Sequence, residues 1–405
     1  MKLFFPVIFF SAFSGMCAAQ TSPATSFLAE TNTITTAVPF LLFTPDARAG
    51  AMGETGVATS PDVNSIYWNP AKLAFADKKF ALSGSYVPLL RELVPDVNLS
   101  QGSFYYKPDS ISAFGISARY FSMGDVTLTG SGGIIGQYRP KEFAFDGCYS
   151  RQFAKYWSAG IAALFIYSNL TDGITFYGQD THTGKSVAGD LGVYYHNDNS
   201  LKILGKESAL MMGMAITNIG SKISYTVSEK EFIPINLRIG QGATVHLNAK
   251  NDFSLQYEFN KLLVPSPPHY LTGSNGNPVA NPNTGQYIIV AGKDPDVSVP
   301  KGMLQSFYDA PGGFREELRE VTVSLGAEYW YNHFIALRTG YFYESPTKGN
   351  RQYLTLGAGV KYNMFELDFS YLAPTNGQKN PLQNTVRFSL IIGISKKQLQ
   401  QMKSR

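Results

Sequence analysis

Residues 365–371 read Phe-Glu-Leu-Asp-Phe-Ser-Tyr, and residues 385–390 read Thr-Val-Arg-Phe-Ser-Leu. Apolar and polar side chains alternate in both stretches. Successive side chains of a β-strand point to opposite faces, so each stretch predicts a strand with one apolar and one polar side. The same alternation recurs at residues 253–260, 321–329 and 353–362. The chain therefore carries the period of β-structure over much of its length.

The composition narrows the class of protein. Charged residues make up only 16% of the 405 residues and aromatic residues 14%, whereas about 25% of residues are charged in soluble proteins. Disorder is excluded, because disordered chains are highly charged and poor in aromatics. A helical membrane protein is excluded, because no stretch after the signal region approaches about 18 consecutive apolar positions. A net charge of +4 without a long Lys/Arg run argues against a nucleic-acid partner. A large all-β protein remains, either soluble or in an outer membrane.

Three features favour an outer-membrane barrel over a soluble sandwich. The alternating runs extend over about ten residues, enough for a tilted strand to cross a bilayer. Aromatic residues collect near the predicted strand ends, at 104–106, 329–331 and 341–343, where membrane interfaces lie. The connections also alternate between short and long. We therefore predict an all-β fold, a transmembrane antiparallel β-barrel of about fourteen strands over residues 78–395, with a small N-terminal hatch.

The predicted connections set the orientation of the barrel. They are mostly short after even-numbered strands and longer after odd-numbered ones, with residues 198–206 as a long exception and 228–232 and 346–349 as short ones. Short periplasmic turns and long outer loops are the rule, which predicts that both chain termini are periplasmic, including the tail at 396–405. The predicted strands cover residues 79–87, 99–107, 111–130 with an irregularity at Gly124, 140–151, 156–169, 185–197, 207–227, 233–247, 252–263, 318–332, 334–345, 350–363, 365–373 and 383–394.

The start of the chain is typical of a secretory signal peptide. A short positive end precedes a mostly apolar stretch at residues 3–13 and then small residues. We expect cleavage to remove residues 1–19, leaving an N-terminal extension at 20–44 and an integral outer-membrane protein of a Gram-negative bacterium. A lipoprotein with Cys17 as the lipidated residue and a short anchoring helix are alternatives. Cleavage leaves Cys148 alone, so no intramolecular disulfide is expected.

Two segments depart from the strand pattern. Residues 45–77 are rich in glycine and other small residues, which suits a compact plug, or hatch, inside the lumen. A periplasmic linker and a phosphate-binding loop are alternatives, although the glycine spacing does not match a phosphate loop. Residues 264–317 form a proline-rich insertion. Loops of this length are usually functional or disordered, so an outer lid, a docking surface and a mobile loop all remain open.

Candidate chemistry is scarce. The five histidines do not lie at metal-ligand spacing, and no HExxH, CxxC or GxSxG motif occurs. We expect no metal, no cofactor and no enzymatic activity, although a Ser/His/Asp site assembled from different strands stays open. The predicted lumen charges are mixed in sign and indicate an internally paired network instead of an ion-selective ring. They are Glu258, Glu328, Lys361, Glu366, Asp368 and Arg387.

Two motifs resemble known families. Residues 46–53, Asp-Ala-Arg-Ala-Gly-Ala-Met-Gly, and 69–73, Asn-Pro-Ala-Lys-Leu, resemble the hatch of the long-chain fatty acid transporter (FadL-like) superfamily. Residues 86–97, Tyr-Val-Pro-Leu-Leu-Arg-Glu-Leu-Val-Pro-Asp-Val, are similar to the first outer loop of the PorV family, also called LptO, of the type IX secretion system. The similarity spans essentially the whole mature chain and includes residues 124–129. The hatch residues that carry it are Arg48, Gly50, Gly53, Asn69 and Pro70.

The resemblance implies a role in protein secretion. Proteins of this family accept cargo from the translocon barrel SprA, bind its shared C-terminal signal domain and carry it to the attachment complex that contains a sortase. Outer-membrane lipids would surround the barrel. Exposed apolar groups in a loop commonly mark partner sites, although these leucines could instead enter the outer leaflet or fold over the lumen. The predicted binding residues are Leu89, Leu90, Arg91, Glu92, Leu93 and Val94. A transporter of hydrophobic small molecules and a lipid A deacylase are the alternative functions.

Overall fold

The computed structural model describes residues 31–90, 96–130, 133–171, 173, 180–226, 230–375 and 384–403. The predicted signal peptide and the loop residues 91–94 lie outside these ranges. The described chain folds into a closed barrel of fourteen antiparallel strands, which confirms the predicted fold class. The strands are β1 (Phe80–Pro88), β2 (Val97–Tyr106), β3 (Ser112–Met123), β4 (Lys141–Ala154), β5 (Trp157–Asn169), β6 (Gly184–Ile203), β7 (Lys206–Gly220), β8 (Asn236–Asn248), β9 (Asn251–Leu262), β10 (Thr322–Tyr331), β11 (Ile335–Tyr343), β12 (Gln352–Tyr362), β13 (Phe365–Pro374) and β14 (Val386–Ile394).

The first and last strands close the barrel. Phe80 of β1 lies opposite Ile394 of β14, and Tyr86 lies opposite Phe388. Each strand is therefore hydrogen-bonded on both sides, as a wall in contact with lipid requires, because lipid cannot pair with backbone polar groups.

The alternation that predicted the strands separates the two faces of the wall. Phe365, Leu367 and Phe369 of β13 are exposed on the outside, whereas Asp368 and Ser370 are fully buried on the lumen side. The lipid-facing row is therefore apolar and the lumen row is polar, which is the arrangement of a membrane barrel.

The connection lengths assign the two ends of the barrel. The turns after even-numbered strands are short, such as residues 249–250 and 363–364, and they share an end with the start of β1 and the finish of β14. By the rule for outer-membrane barrels this is the periplasmic end, and the long connections form the outer end.

The predicted long turn at 198–206 is wrong. β6 continues to Ile203, and Leu204 and Gly205 turn the chain with φ of 49° and 76°, as a two-residue hairpin requires.

Several predicted strand ends are also wrong. The predicted strand at 111–130 ends at Met123, because Gly124 has a φ of 79° and redirects the chain. The alternation continues beyond this break in a separate hairpin, Val126–Gly130 with Gly133–Tyr138, which pairs with itself and not with the wall. β7 stops at Gly220, so the next connection is longer than predicted.

Helices occupy the lumen, the insertion and the tail. Short helices α1 (Ala47–Ala51) and α2 (Ser65–Trp68) lie in the hatch with a 3₁₀ helix at Pro70–Phe75. The insertion carries α3 (Val299–Gln305) and α4 (Phe314–Arg319), so β10 begins at Thr322 and not at residue 318. The tail forms α5 (Lys396–Lys403). None of the helices in the described part of the chain has the length and apolarity of a membrane-spanning helix.

Candidate functional site: the hatch and the outer mouth of the barrel

The hatch, residues 45–77, folds around the side chain of Asp46. This carboxylate caps α1 by accepting a hydrogen bond from Ala49 N (2.8 Å), and it accepts a second from Trp68 Nε1 (2.8 Å). An aspartate at this position satisfies a free N–H of the first helical turn. Asp46 therefore joins the two helices of the hatch. Hatch residues such as Ala51, Val57 and Leu73 are completely buried, so the hatch fills the section of the lumen in which it lies.

A chain of alternating charges binds the hatch to the wall. Arg48 on α1 forms ion pairs with Asp62 of the hatch (2.9 Å) and with Glu328 on β10 (2.9 Å). Glu328 also accepts from Arg338 on β11 (2.7 Å), and Arg338 reaches Asp368 on β13 (2.6 Å). Buried charges are stable only when they are paired and hydrogen-bonded. The mixed network predicted for Glu328 and Asp368 is therefore present, and it includes the hatch.

The remaining predicted lumen charges are also paired. Glu258 accepts hydrogen bonds from the backbone of Gly56 (2.7 Å) and Val57 (2.8 Å) in the hatch. Arg387 forms an ion pair with Glu54 (2.9 Å). Glu366 and Lys361 lie 3.6 Å apart on adjacent strands. Opposite charges thus neutralise each other around the lumen instead of forming a ring of one sign.

The structure places all five predicted hatch residues inside the barrel. Arg48 carries the ion pairs, and a side chain at Gly50 would meet Arg387 Cδ at 2.7 Å. Gly53 has a φ of 65°, and a Cβ there would lie 2.5 Å from a wall carbonyl. Asn69 caps the 3₁₀ helix through Ala71 N (3.0 Å) and donates to the wall carbonyl of Val193 (3.1 Å), while Pro70 opens that helix. These residues hold the hatch in place.

Glycines of the wall make room for the hatch. A Cβ at Gly340 would overlap Gly53 N and Met52 C, and one at Gly326 would lie 2.6 Å from Met52 O. Local sequence does not predict this role, because an isolated glycine in a strand gives no sign of what lies against it. Side chains would meet the hatch in the same way at Gly160, Gly192, Gly213, Gly240 and Gly357.

The chain reaches the hatch through the outer mouth. Residues 31–44, which we call the strap, lie against the outer loops: Asn32 N donates to Thr347 O (3.0 Å) and Ala37 N donates to Phe232 O (2.9 Å). The Asn32 side chain also donates to Glu316 Oε1 (2.9 Å) in the insertion. The expectation that the start of the mature chain lies on the periplasmic side is therefore wrong for the strap.

An apolar cluster surrounds the strap and includes Leu89. Phe40 and Leu41 of the strap pack there with Val87, Leu99 and residues of the outer loops, and Leu89 is only 3% exposed. The expectation that Leu89 is exposed is wrong, because its side chain turns into the lumen and avoids water. Leu90 packs against the same cluster with a φ of 54°. A binding role for these residues stays a prediction, for Leu89 and Leu90 as for Arg91, Glu92, Leu93 and Val94.

A cavity of about 600 Å³ lies between the strap, the hatch, the outer ends of β8 to β11 and the loop that follows β11. Arg351 on its wall pairs with Glu344 (2.8 Å), and Lys348 pairs with Glu320 (2.9 Å). Both polar and apolar side chains line the cavity, so it is neither a purely apolar pocket nor a charged filter. Its apolar lining includes Ile34, Leu42, Phe43, Trp68, Leu262 and Phe342.

The insertion is held on the rim by a buried cluster of lysines and glutamates. Lys261 on β9 binds Glu317 (3.0 Å) and Glu320 (2.7 Å), and Lys348 binds Glu316 (2.6 Å) and Glu320 (2.9 Å). We call these two lysines and three glutamates the latch. Burial raises the pKa of Asp309, a neighbouring carboxyl in the insertion. The latch residues are separated by up to 87 positions in the chain, from Lys261 to Lys348, so sequence inspection could not find the latch.

The histidines do not assemble a metal site in the described part of the chain, where no group of three potential ligands occurs. His196 lies 2.8 Å from Asp198, and His246 lies 2.8 Å from Asp252, both near the periplasmic end. Cys148 is buried and unpaired.

Comparison with known proteins identifies the family. The family model described as type IX secretion system protein PorV matches residues 26–269. No curated protein sequence matches the chain. Among solved structures, the toluene transporter TodX of Pseudomonas putida is 14% identical, with 87% of this chain and 99% of that chain covered and a TM-score of 0.49. The toluene transporter TbuX of Ralstonia pickettii is 14% identical (87% and 98% covered, TM-score 0.45), and a FadL homologue of Pseudomonas aeruginosa is 13% identical (89% and 98%, TM-score 0.42). These similarities concern the fold alone.

The family match spans more than half of the sequence, and the chain therefore belongs to the PorV family of outer-membrane β-barrel proteins of the type IX secretion system.

Proposed function

We propose that this protein accepts secreted cargo from the translocon barrel SprA, binds the cargo's C-terminal domain and carries it to the sortase-containing attachment complex. Membership of the PorV family supports a role in this secretion system. The observation that carries the proposal is the hatch, which fills its section of the lumen and is bound to the wall by buried ion pairs and hydrogen bonds. A barrel plugged in this way is suited to binding partners at its outer face.

The surface that we propose for cargo is the outer rim at β1 to β3. Leu89 holds the base of the connecting loop in the apolar cluster around the strap. At the far end of this loop, Asp96 accepts a hydrogen bond from Asp125 N (2.8 Å), at the base of the hairpin that follows β3. Ile134 on that hairpin is 71% exposed. Loop and hairpin are thus joined at their bases, and Leu90 to Val94 would contact the cargo domain beside them.

A pair of matched variants tests this surface. Leu93→Asp places a charge in the proposed contact, whereas Leu204→Asp places one at a leucine that is 93% exposed at the periplasmic end. We expect cells with Leu93→Asp to accumulate cargo that retains its C-terminal domain, while Leu204→Asp cells process it normally. Immunoblots of cargo, at equal barrel levels in the outer membrane, measure the difference. Normal processing in the Leu93→Asp cells would contradict the proposed surface.

A pull-down tests the partners directly. A tagged barrel, purified from solubilised outer membranes, is expected to bring down a very large barrel together with surface proteins that share a C-terminal domain. Recovery of neither, combined with normal surface display in cells lacking the protein, would overturn the proposed role.

The cavity at the outer mouth supports a second candidate function, uptake of a hydrophobic small molecule. Its apolar lining would accept part of such a ligand, but the hatch lies between the cavity and the periplasmic end, and release would require the hatch to move. Loss of uptake in deletion cells that still process cargo normally would favour this candidate over secretion.

A further inference from the structure

Helix α4 exposes large apolar side chains on its outer surface. Glu316 and Glu317 face the barrel and bind the latch lysines. Phe314 and Leu318, one helical turn apart, point the other way and are 75% and 57% exposed. Residues four apart on a helix share a face. The helix therefore turns its carboxylates toward the protein and its large apolar side chains outward.

The latch places α4 beside the lipid-facing wall. Phe253, Leu255 and Phe259 form the exposed outer row of β9, and Lys261 continues the same row. Lys261 is buried because Glu317 covers it. Two residues along a strand rise about 7 Å, so α4 contacts the wall about 7 Å beyond Phe259. The outward face of α4 is thus continuous with the surface that lipid covers.

Exposed arginines accompany the apolar side chains. Arg315 and Arg319 are exposed and lie next to Phe314 and Leu318 in the sequence of α4. Helices that lie in a membrane interface combine apolar side chains with basic residues in this way, because the former enter the acyl boundary and the latter pair with lipid phosphates.

We propose that α4 is an interfacial anchor for the outer leaflet: Phe314 and Leu318 enter the headgroup–acyl boundary, and Arg315 and Arg319 bind the phosphates of lipid A. The latch transmits this contact to the rim, so that lipid binding helps to hold the insertion over the outer mouth. The anchor does not depend on the proposed cargo function, because it rests on the continuity of α4 with the lipid-facing row and on its charges.

Spin labels locate α4 relative to the lipid. The full-length barrel is reconstituted in nanodiscs that contain lipid A, with a label at Leu318→Cys. Leu255→Cys on the lipid-facing wall and Leu204→Cys at the periplasmic turn serve as references, and the native Cys148 is buried. We expect the label at position 318 to behave like the label at position 255. Both should collide more often with oxygen than with a water-soluble nickel complex. Accessibility like that of 204, or exclusion of both reagents by protein contact, would overturn the anchor.

A second measurement tests the phosphate contacts. Native mass spectrometry compares the retention of bisphosphorylated and dephosphorylated lipid A by the native barrel and by an Arg315→Gln, Arg319→Gln variant. Each arginine near an anionic membrane surface is worth about a fivefold change in binding. We therefore expect the variant to lose about 25-fold in its preference for the phosphorylated lipid. An unchanged preference in a variant whose barrel is intact would overturn the assignment of the two arginines.

Discussion

Arg48 Nη2 lies 2.9 Å from Glu328 Oε1, and both side chains are almost fully buried inside the barrel. Arg48 belongs to the hatch and Glu328 to β10, so this ion pair joins two parts of the chain that are far apart in sequence. Because Glu328 also binds Arg338, the hatch becomes part of one charge network with the wall. A displaced hatch would leave these charges without partners.

We expect Arg48→Met to loosen the hatch. Removing one partner of a buried ion pair typically costs about 3–5 kcal/mol, because the other charge remains buried. The measurements are heat-induced unfolding of the barrel in detergent and entry of a bulky antibiotic into cells. Arg139→Met is the control, because Arg139 pairs with Asp125 on the surface, where a pair contributes at most about 1 kcal/mol. Equal effects of the two variants would show that the hatch does not depend on Arg48.

We expect Gly340→Ala to disturb the hatch by steric overlap. Its Cβ would collide with the backbone of Met52 and Gly53, and overpacking of this kind costs about 1–3 kcal/mol. Gly147→Ala is the control, since a Cβ there has no atom within 4 Å. Thermal unfolding of the two variants measures the difference. Equal stability would mean that the wall or hatch can shift to accept the methyl group.

We expect Lys261→Met to release the insertion. The variant leaves Glu317 without its lysine and Glu320 with only Lys348, so buried carboxylates lose charge partners. Limited proteolysis of intact cells should then cut within residues 263–321 faster than in the native protein. Lys250→Met, at an exposed periplasmic turn, should leave the rate unchanged. An uncut insertion in Lys261→Met would show that the apolar contacts of α3 suffice to hold it.

We expect Leu89 to contribute to the stability of the barrel and Leu93 to contribute to cargo processing. Leu89→Ala empties part of a buried cluster and should lower the free energy of unfolding by about 2–5 kcal/mol. Leu93→Ala should leave stability unchanged and reduce cargo processing, if the loop binds cargo as proposed. Thermal unfolding and cargo immunoblots on the same strains separate the two effects. Loss of stability in Leu93→Ala would instead place its side chain in the cluster.

We expect the contact between the strap and the insertion to survive mild acid. Burial raises the pKa of Glu316, but hydrogen bonds from Lys348 and Asn32 outweigh it and hold the pKa below its usual value. A lowered folded-state pKa contributes stability above the unfolded-state value, about 4.3 for a glutamate, and this is lost as the pH falls through the lowered value. The protection factors of the α4 amides, which are the intrinsic exchange rates at each pH divided by the measured ones, should therefore stay constant from pH 7 to about 5 and fall only in stronger acid. A fall in the protection factors between pH 7 and 5 would contradict the assignment.

The strand pattern could be predicted from the local sequence. Phe365 and Leu367 alternate with Glu366 and Asp368, and this period alone predicts which side faces lipid. The ends of the strands were harder to predict. Leu204 and Gly205 turn the chain where the composition indicated a longer turn, and Gly124 separates a hairpin whose residues continue the same alternation. A strand that leaves the wall and one that stays in it have the same local period.

The sequence by itself determined the barrel, its two faces and the presence of a hatch, because these follow from side-chain periodicity and from the conformational freedom of small residues. The tertiary structure decided that Arg48 binds Glu328, that Asn32 of the strap reaches Thr347 and Glu316 at the outer mouth, and that α4 lies against the top of β9. These contacts join residues that are far apart in the chain. Their pairing depends on how the closed wall brings the strands and loops together, and no local pattern encodes it.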